Sequence, residues 1–234
     1  MQIRNLHKWN LTYKQAVKLQ RQLASRVRFT SLKKRPNLVA GLDCALSRDG
    51  EKIAAAVVVM KLEDFRIIET ASDIRKLRFP YIPGLLSFRE GPVCVAAVSK
   101  LKSEPDLFII DGQGFAHPRR FGLACHLGLF FDKPTIGCAK SRLIGSYKEP
   151  QPQKGAFTLL EDKSVADDKR KGKSSEVIGA VVRTRTNVKP VFVSVGHKCS
   201  LKDAIDIVLK CTRGVRLPEP ARFAHQMVSK LVSG

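Results

Sequence analysis

Three features of the sequence predict an α/β domain with a mixed central sheet flanked by helices. Between residues 38 and 71, three strand-like runs follow one another through connections too short to hold a helix, the mark of an antiparallel meander. From residue 92 onward, helical segments alternate with short apolar runs, as in strands buried on both faces of a parallel sheet. The length of 234 residues, 44% hydrophobic and 27% charged, suits one domain with its own core.

The elements follow in order. Thr12–Arg26 predicts a helix, because Ala16, Leu19, Leu23 and Val27 recur at three- and four-residue steps and Thr12 with Gln15 forms a capping-box pair. Leu38–Leu46, Ile53–Leu62 and Phe65–Ala71 predict the meander, with Asp49-Gly50 and Glu63-Asp64 at its turns. Pro92–Leu101 predicts a helix with proline at its first position. Leu107–Ile110 and Thr135–Ala139 predict buried strands, separated by a helix over Phe121–Phe131. Val177–Arg183 and Val191–Val195 predict further strands. A helix then starts at Ser200, with Asp203 as its capping partner, and runs through Lys210, and Pro220–Val232 predicts a last one. The polar stretch Glu161–Glu176 predicts a mobile surface loop. No internal repeat is present.

Charge narrows the function. The 42 Lys and Arg against 21 Asp and Glu give a net charge of +21. No acidic residue precedes Asp43, whereas Lys14, Lys18, Arg21, Arg26, Arg28, Lys33, Lys34 and Arg35 all do. Such a one-signed segment attracts a polyanion, and nucleic acid is the expected partner. A membrane surface competes less well, since the first helix offers only a modest apolar stripe opposite its charges. No run of about 18 apolar residues predicts a membrane span. The N-terminal stretch lacks the apolar core of a secretory signal, so a cytoplasmic protein is expected. The six cysteines are scattered without a C-x-x-C pair, which predicts reduced core thiols rather than zinc ligands or disulfides.

In so basic a chain the placement of carboxylates is informative. Asp43 interrupts an apolar strand, where a carboxylate must be hydrogen-bonded, paired or metal-bound. Asp111 closes the LFII strand and Gly112 follows it. Glu90 stands just before the predicted Pro92 helix, where a helix dipole favours negative charge. His225 lies on the last helix. Taken singly, each is equally well a cap, an ion-pair partner or a surface residue. Brought together, they form an oxygen-rich set suited to Mg²⁺ or Mn²⁺ and to phosphodiester hydrolysis.

Linked strings then identify a resemblance. Pro80-Tyr81-Ile82-Pro83-Gly84 continuing to Pro92, Asp111-Gly112-Gln113-Gly114, and His117-Pro118-Arg119-Arg120 resemble the endonuclease V family, the deoxyinosine 3′-endonucleases. The GLDCA strand around Asp43, the Ile136–Gly145 segment and the ARFAH helix around His225 match in the same order. The resemblance implies a ribonuclease H-like fold in a single domain over residues 1–234. It also implies a Mg²⁺-dependent enzyme that cuts the second phosphodiester bond 3′ to deoxyinosine and leaves the lesion in the nicked strand, with Mn²⁺ substituting. By motif, Asp43 and Asp111 would ligate the metal, Glu90 would complete the acidic site, His225 would stand near the attacking water, and Lys140 near the scissile phosphate.

The same resemblance implies a DNA wedge at Tyr81, Ile82 and Pro83, whose prolines stiffen the loop that presents the aromatic ring. It implies a base pocket lined by the backbone of Gly84, Leu86, Gly112, Leu123 and Gly137. His117 is expected either to touch the DNA backbone or to stabilise its loop by a hydrogen bond. The expected partner is double-stranded DNA carrying deoxyinosine, with single-stranded DNA and inosine-containing RNA as further substrates and a monomeric enzyme. An inosine-specific endoribonuclease and a non-catalytic nucleic-acid-binding protein are the alternatives.

Overall fold

The computed structural model describes residues 1–163 and 175–233. Eight strands form one sheet in the order β3-β2-β1-β4-β5-β8-β7-β6. The strands are β1 (Leu38–Leu46), β2 (Lys52–Lys61), β3 (Ile67–Lys76), β4 (Leu107–Ile110), β5 (Thr135–Ala139), β6 (Phe157–Asp162), β7 (Glu176–Val182) and β8 (Val191–His197). The helices are α1 (Tyr13–Ala24), α2 (Leu86–Ser99), α3 (Leu123–Phe131), α4 (Leu201–Lys210) and α5 (Glu219–Ser233). The meander β1–β2–β3 is antiparallel, β4 and β5 add parallel to β1, and β8, β7 and β6 return antiparallel. The parallel character is thus confined to β1, β4 and β5, at the centre of the sheet.

Alternation along the central strands sets the two layers. Ala40, Leu42, Phe108 and Ile110 face one side, where they pack against Val93, Ala97 and Val98 of α2 and Leu127, Phe130 and Phe131 of α3. Val39, Leu107, Ile109, Ile136 and Cys138 face the other, toward Ala204, Ile207 and Val208 of α4 and Ala221 of α5. The capping boxes at Thr12 with Gln15 and at Ser200 with Asp203 are both formed. All six cysteines are free, five of them buried, in keeping with core thiols.

The structure corrects several sequence expectations. Helix α2 begins at Leu86, so Pro92 lies inside it rather than at its start. The missing N–H leaves one carbonyl a turn earlier without its helical donor, which burial of Val93, Cys94 and Ala97 against the sheet outweighs. Glu90 therefore sits within a helix and not at its entry, and the dipole argument for it falls. Strand β3 runs on to Lys76 because it is an edge strand, half exposed, whose polar residues broke the apolar pattern. The opposite edge strand, β6, buries only Leu160 and carried no pattern to find it by. The stretch expected as a loop over Glu161–Glu176 gives its first two residues to β6 and its last to β7. Residues 164–174 lie outside the described residues. Among the described residues no helix is long and apolar enough to cross a membrane.

Candidate active site

Register brings the two aspartates together. Leu42 of β1 lies opposite Ile110 of β4 in a parallel ladder, so the next residue on each strand is Asp43 on one and Asp111 on the other. Asp111 N–H donates to the Leu42 carbonyl at 3.0 Å, holding the strand end in line. Both side chains point to the α4–α5 layer, one alternation beyond Gly41 and Ile109.

Helix α5 supplies the third group, and Gly41 lets it approach. A Cβ on Gly41 would fall 2.0 Å from the carbonyl carbon and oxygen of Pro220, so the helix backbone rests directly on the strand. From that contact, two residues along β1 advance about 6.6 Å to Asp43. Four residues along α5 advance about 6 Å, from Ala221 to His225. His225 Nδ1–H accordingly donates to Asp43 Oδ2 at 2.7 Å. The other Asp43 oxygen accepts the Cys44 backbone N–H at 2.7 Å. Ligand atoms of Asp43, Asp111 and His225 lie within 4.8 Å of one another.

Lys140, one residue past β5, donates to Asp111 Oδ2 at 2.5 Å, and its Nζ is 3.5 Å from His225 Nδ1. Burial pushes the carboxyl of Asp43 above its usual range and the charge of Asp111 adds to that, while the His225 hydrogen bond and Lys140 oppose it. Glu90 lies in the α2 layer, outside the Asp43–Asp111–His225 group but near enough for the charges of the two aspartates to act on it. Burial drives its carboxyl up to about 8; the hydrogen bond with Cys44 works against this, and the charges of Asp43 and Asp111 reinforce it. Three carboxyl groups crowded into a half-buried site this way are poorly neutralised by one lysine, and a hard divalent cation among oxygen donors relieves the crowding.

The loop from Pro80 to Gly84 is tied from behind. Gly84, in the left-handed region at φ +78°, presents its carbonyl to three side-chain donors: Arg119 at 2.6 Å, Gln20 at 3.0 Å and His117 Nε2–H at 3.1 Å. His117 Nδ1 accepts the Arg119 backbone N–H, so the ring is neutral with its proton on Nε2. His117 is 4% exposed with both ring nitrogens engaged in holding the loop. Tyr81 projects, 69% exposed, with the Arg89 guanidinium 5.8 Å from its ring centre. Ile82 packs down on the cluster of Ala16, Leu85 and Phe88 and anchors the loop.

Of the residues expected at a base pocket, Gly112 and Leu123 are neighbours, since a Cβ on Gly112 would meet Leu123 Cδ2 at 3.6 Å. Gly137 packs against the backbone of the Gly112–Gly114 turn, where a Cβ would come within 2.5 Å of the Gly114 nitrogen. Leu86 is 39% exposed at the start of α2, just beyond Gly84. Sequence reasoning missed Gln20, which is buried on α1 and carried no signal. It also missed Arg216, whose guanidinium donates to the carbonyls of Lys140 at 2.6 Å and Pro190 at 2.8 Å and so holds the end of β5.

Comparison with known proteins identifies the family. The chain matches the Endonuclease V family over residues 21–226. Endonuclease V of Methanothrix thermoacetophila is 48% identical over 225 residues, covering 96% of this chain and 94% of that protein. The crystal structure of Endonuclease V from Streptomyces avermitilis superimposes with a TM-score of 0.88 at 35% identity, covering 100% of this chain and 98% of that one. Endonuclease V of Ciona intestinalis, solved with a 24mer DNA containing an inosine followed by a ribo-adenosine, gives a TM-score of 0.75 at 31% identity, covering 93% and 96%. The chain belongs to the endonuclease V family, and with it to the nucleases of deaminated-base repair.

Proposed function

We propose that the protein hydrolyses the second phosphodiester bond 3′ to deoxyinosine in DNA with Mg²⁺, Mn²⁺ substituting. The observation that carries this reading is the convergence of Asp43, Asp111 and His225 at two strand ends and one helix. Asp43 and Asp111 would hold the cation, which supplies charge neutralisation on the phosphate and a more acidic water. Because His225 donates from Nδ1, its Nε2 carries a lone pair and serves as the proton acceptor for the attacking water. Lys140, the partner of Asp111, would meet a non-bridging phosphate oxygen. Glu90, held largely protonated near neutral pH by burial, would add its oxygen to the site with the cation bound.

In this reading Tyr81 fills the base step vacated by the lesion, and the backbone around Gly84, Leu86, Gly112, Leu123 and Gly137 receives the flipped hypoxanthine. All these groups come from one chain, which fits a monomeric enzyme. A second reading, cleavage of inosine-containing RNA, draws support from the Ciona relative, which was solved on DNA with a ribo-adenosine after the inosine. A pocket built from backbone does not itself sense a 2′-hydroxyl.

The test is a labelled duplex with one deoxyinosine, incubated with the protein and Mg²⁺, beside the same sequence as RNA. A nick at the second bond 3′ to the lesion, faster on DNA, supports the first reading. Faster cutting of RNA selects the second. No metal-dependent nick on either substrate, with Mg²⁺ or Mn²⁺, overturns both.

A further inference from the structure

On the Pro80 side of the wedge loop lies a cavity of about 520 Å³ that no catalytic group enters. Phe79 and Pro80, at the start of the loop, line the cavity, whereas Gly84, at its other end, is held by His117 and Arg119, so the cavity and the proposed base pocket are reached from opposite ends of the loop. Helix α2 makes the same division. Arg89, Pro92 and Val93 line the cavity, whereas Glu90 faces the carboxylates.

The walls have one chemistry at the base and another at the mouth. Trp9, Phe79 and Phe88 form an aromatic lining, with Phe88 only 1% exposed and Trp9 stacked from behind on Phe130 at 4.9 Å. Arg75, Lys76, Arg78 and Arg89 stand around it. Arg75 is paired with Asp73 at 2.7 Å, but Lys76 and Arg78 have no ion-pair partner among the described residues. No acidic side chain lines the cavity. Aromatic faces under a cationic rim are the features that bind an unstacked nucleotide, the base on the rings and the phosphate on the arginines and lysine.

We propose that this cavity receives the nucleotide of the opposite strand that loses its partner when the lesion leaves the duplex. This rests on Tyr81 acting as the wedge. A base orphaned by a wedge lies on the far side of it from its flipped partner, and the cavity is the aromatic site on that side. Holding the orphaned base apart stabilises the opened duplex, so the cavity contributes to capture of the lesion in double-stranded substrate.

The test is a thermodynamic cycle between cavity and base. Cutting efficiency is measured on two deoxyinosine duplexes, one with cytosine opposite the lesion and one with an abasic residue there. Phe79→Ala is expected to lower cutting of the first by about tenfold, the loss of one base–aromatic stack, and of the second by less than about twofold. Phe79→Leu, which keeps an apolar side chain without an aromatic face, keeps the test valid if Phe79→Ala folds poorly, and it is expected to show the same selective loss. Equal losses on both duplexes, or no loss on either, overturn the proposal.

Failure of the functional reading looks different, because the unsubstituted protein then cuts neither duplex. In that event Trp9, the single tryptophan, still reports on the cavity. Its emission should be quenched by the cytosine duplex and not by the abasic one; equal response to both contradicts cavity binding of that base.

Discussion

Asp43 shows how much one side chain depends on its surroundings. It is 6% exposed, and its two oxygens are used by the Cys44 backbone N–H and by His225. Asp43→Asn keeps the volume and removes the charge, so cutting should fall below about one part in a hundred while affinity for the inosine duplex changes less than about threefold. Single-turnover rates and a binding titration on that variant check both. Such residue-level chemistry was legible in the sequence wherever a charged residue closed an apolar run, as at Asp43, Asp111 and Lys140. It was illegible at Gln20, a mid-helix amide that donates to the carbonyls of both Gly84 and Phe121. Gln20→Leu leaves the Phe121 carbonyl without that donor, at a cost of about 1–3 kcal/mol, and loosens Gly84. Both a lower denaturation midpoint and weaker binding of inosine duplex are expected.

Elements carry these side chains to one another, and here a glycine matters more than a charge. The approach of α5 to β1 requires Gly41, and Gly41→Ala drives a methyl into the Pro220 backbone. The overpacking should cost about 1–3 kcal/mol, and the shift of α5 should separate His225 from Asp43. Loss of metal-dependent cutting together with lowered thermal stability is the expected signature, and a fully active, equally stable variant would contradict it. Central elements were readable because burial on both faces leaves an uninterrupted apolar run: β4 and β5 were predicted with the ends they have. Edge strands were not. Exposure of β6 left only Leu160 to mark it, and the polar residues after Ala71 broke the apolar pattern of β3. The start of α2 was hidden by Pro92, since an interior proline supported by packing reads in sequence as a first helical residue.

At the scale of the whole molecule, charge and buried histidines set the response to solution conditions. The net charge of +21 predicts binding of DNA that weakens by about a hundredfold from 50 to 200 mM salt, as for roughly four phosphate contacts. A salt-independent affinity would contradict that. Burial lowers both His117 and His197 to about 4, and lowers His126 as well. Their folded values lie below the unfolded value of about 6.5, so the unfolded chain binds more protons between the two. Stability from these rings is complete above pH 6.5 and is lost as pH falls toward 4. Glu90 has the opposite sign: its raised value of about 8 makes the cost of its charge greatest above that pH, and acid relieves it. Denaturation followed in EDTA from pH 7 to 4 should show falling stability, with a shallower slope in His117→Asn. The central claim, that Asp43 and Asp111 together hold a hard cation, is tested most directly by Mn²⁺ binding, read from the electron paramagnetic resonance of free Mn²⁺. The protein should take up Mn²⁺, and Asp43→Asn and Asp111→Asn should each weaken that uptake at least about tenfold. Equal Mn²⁺ uptake by the protein and both variants would contradict the account.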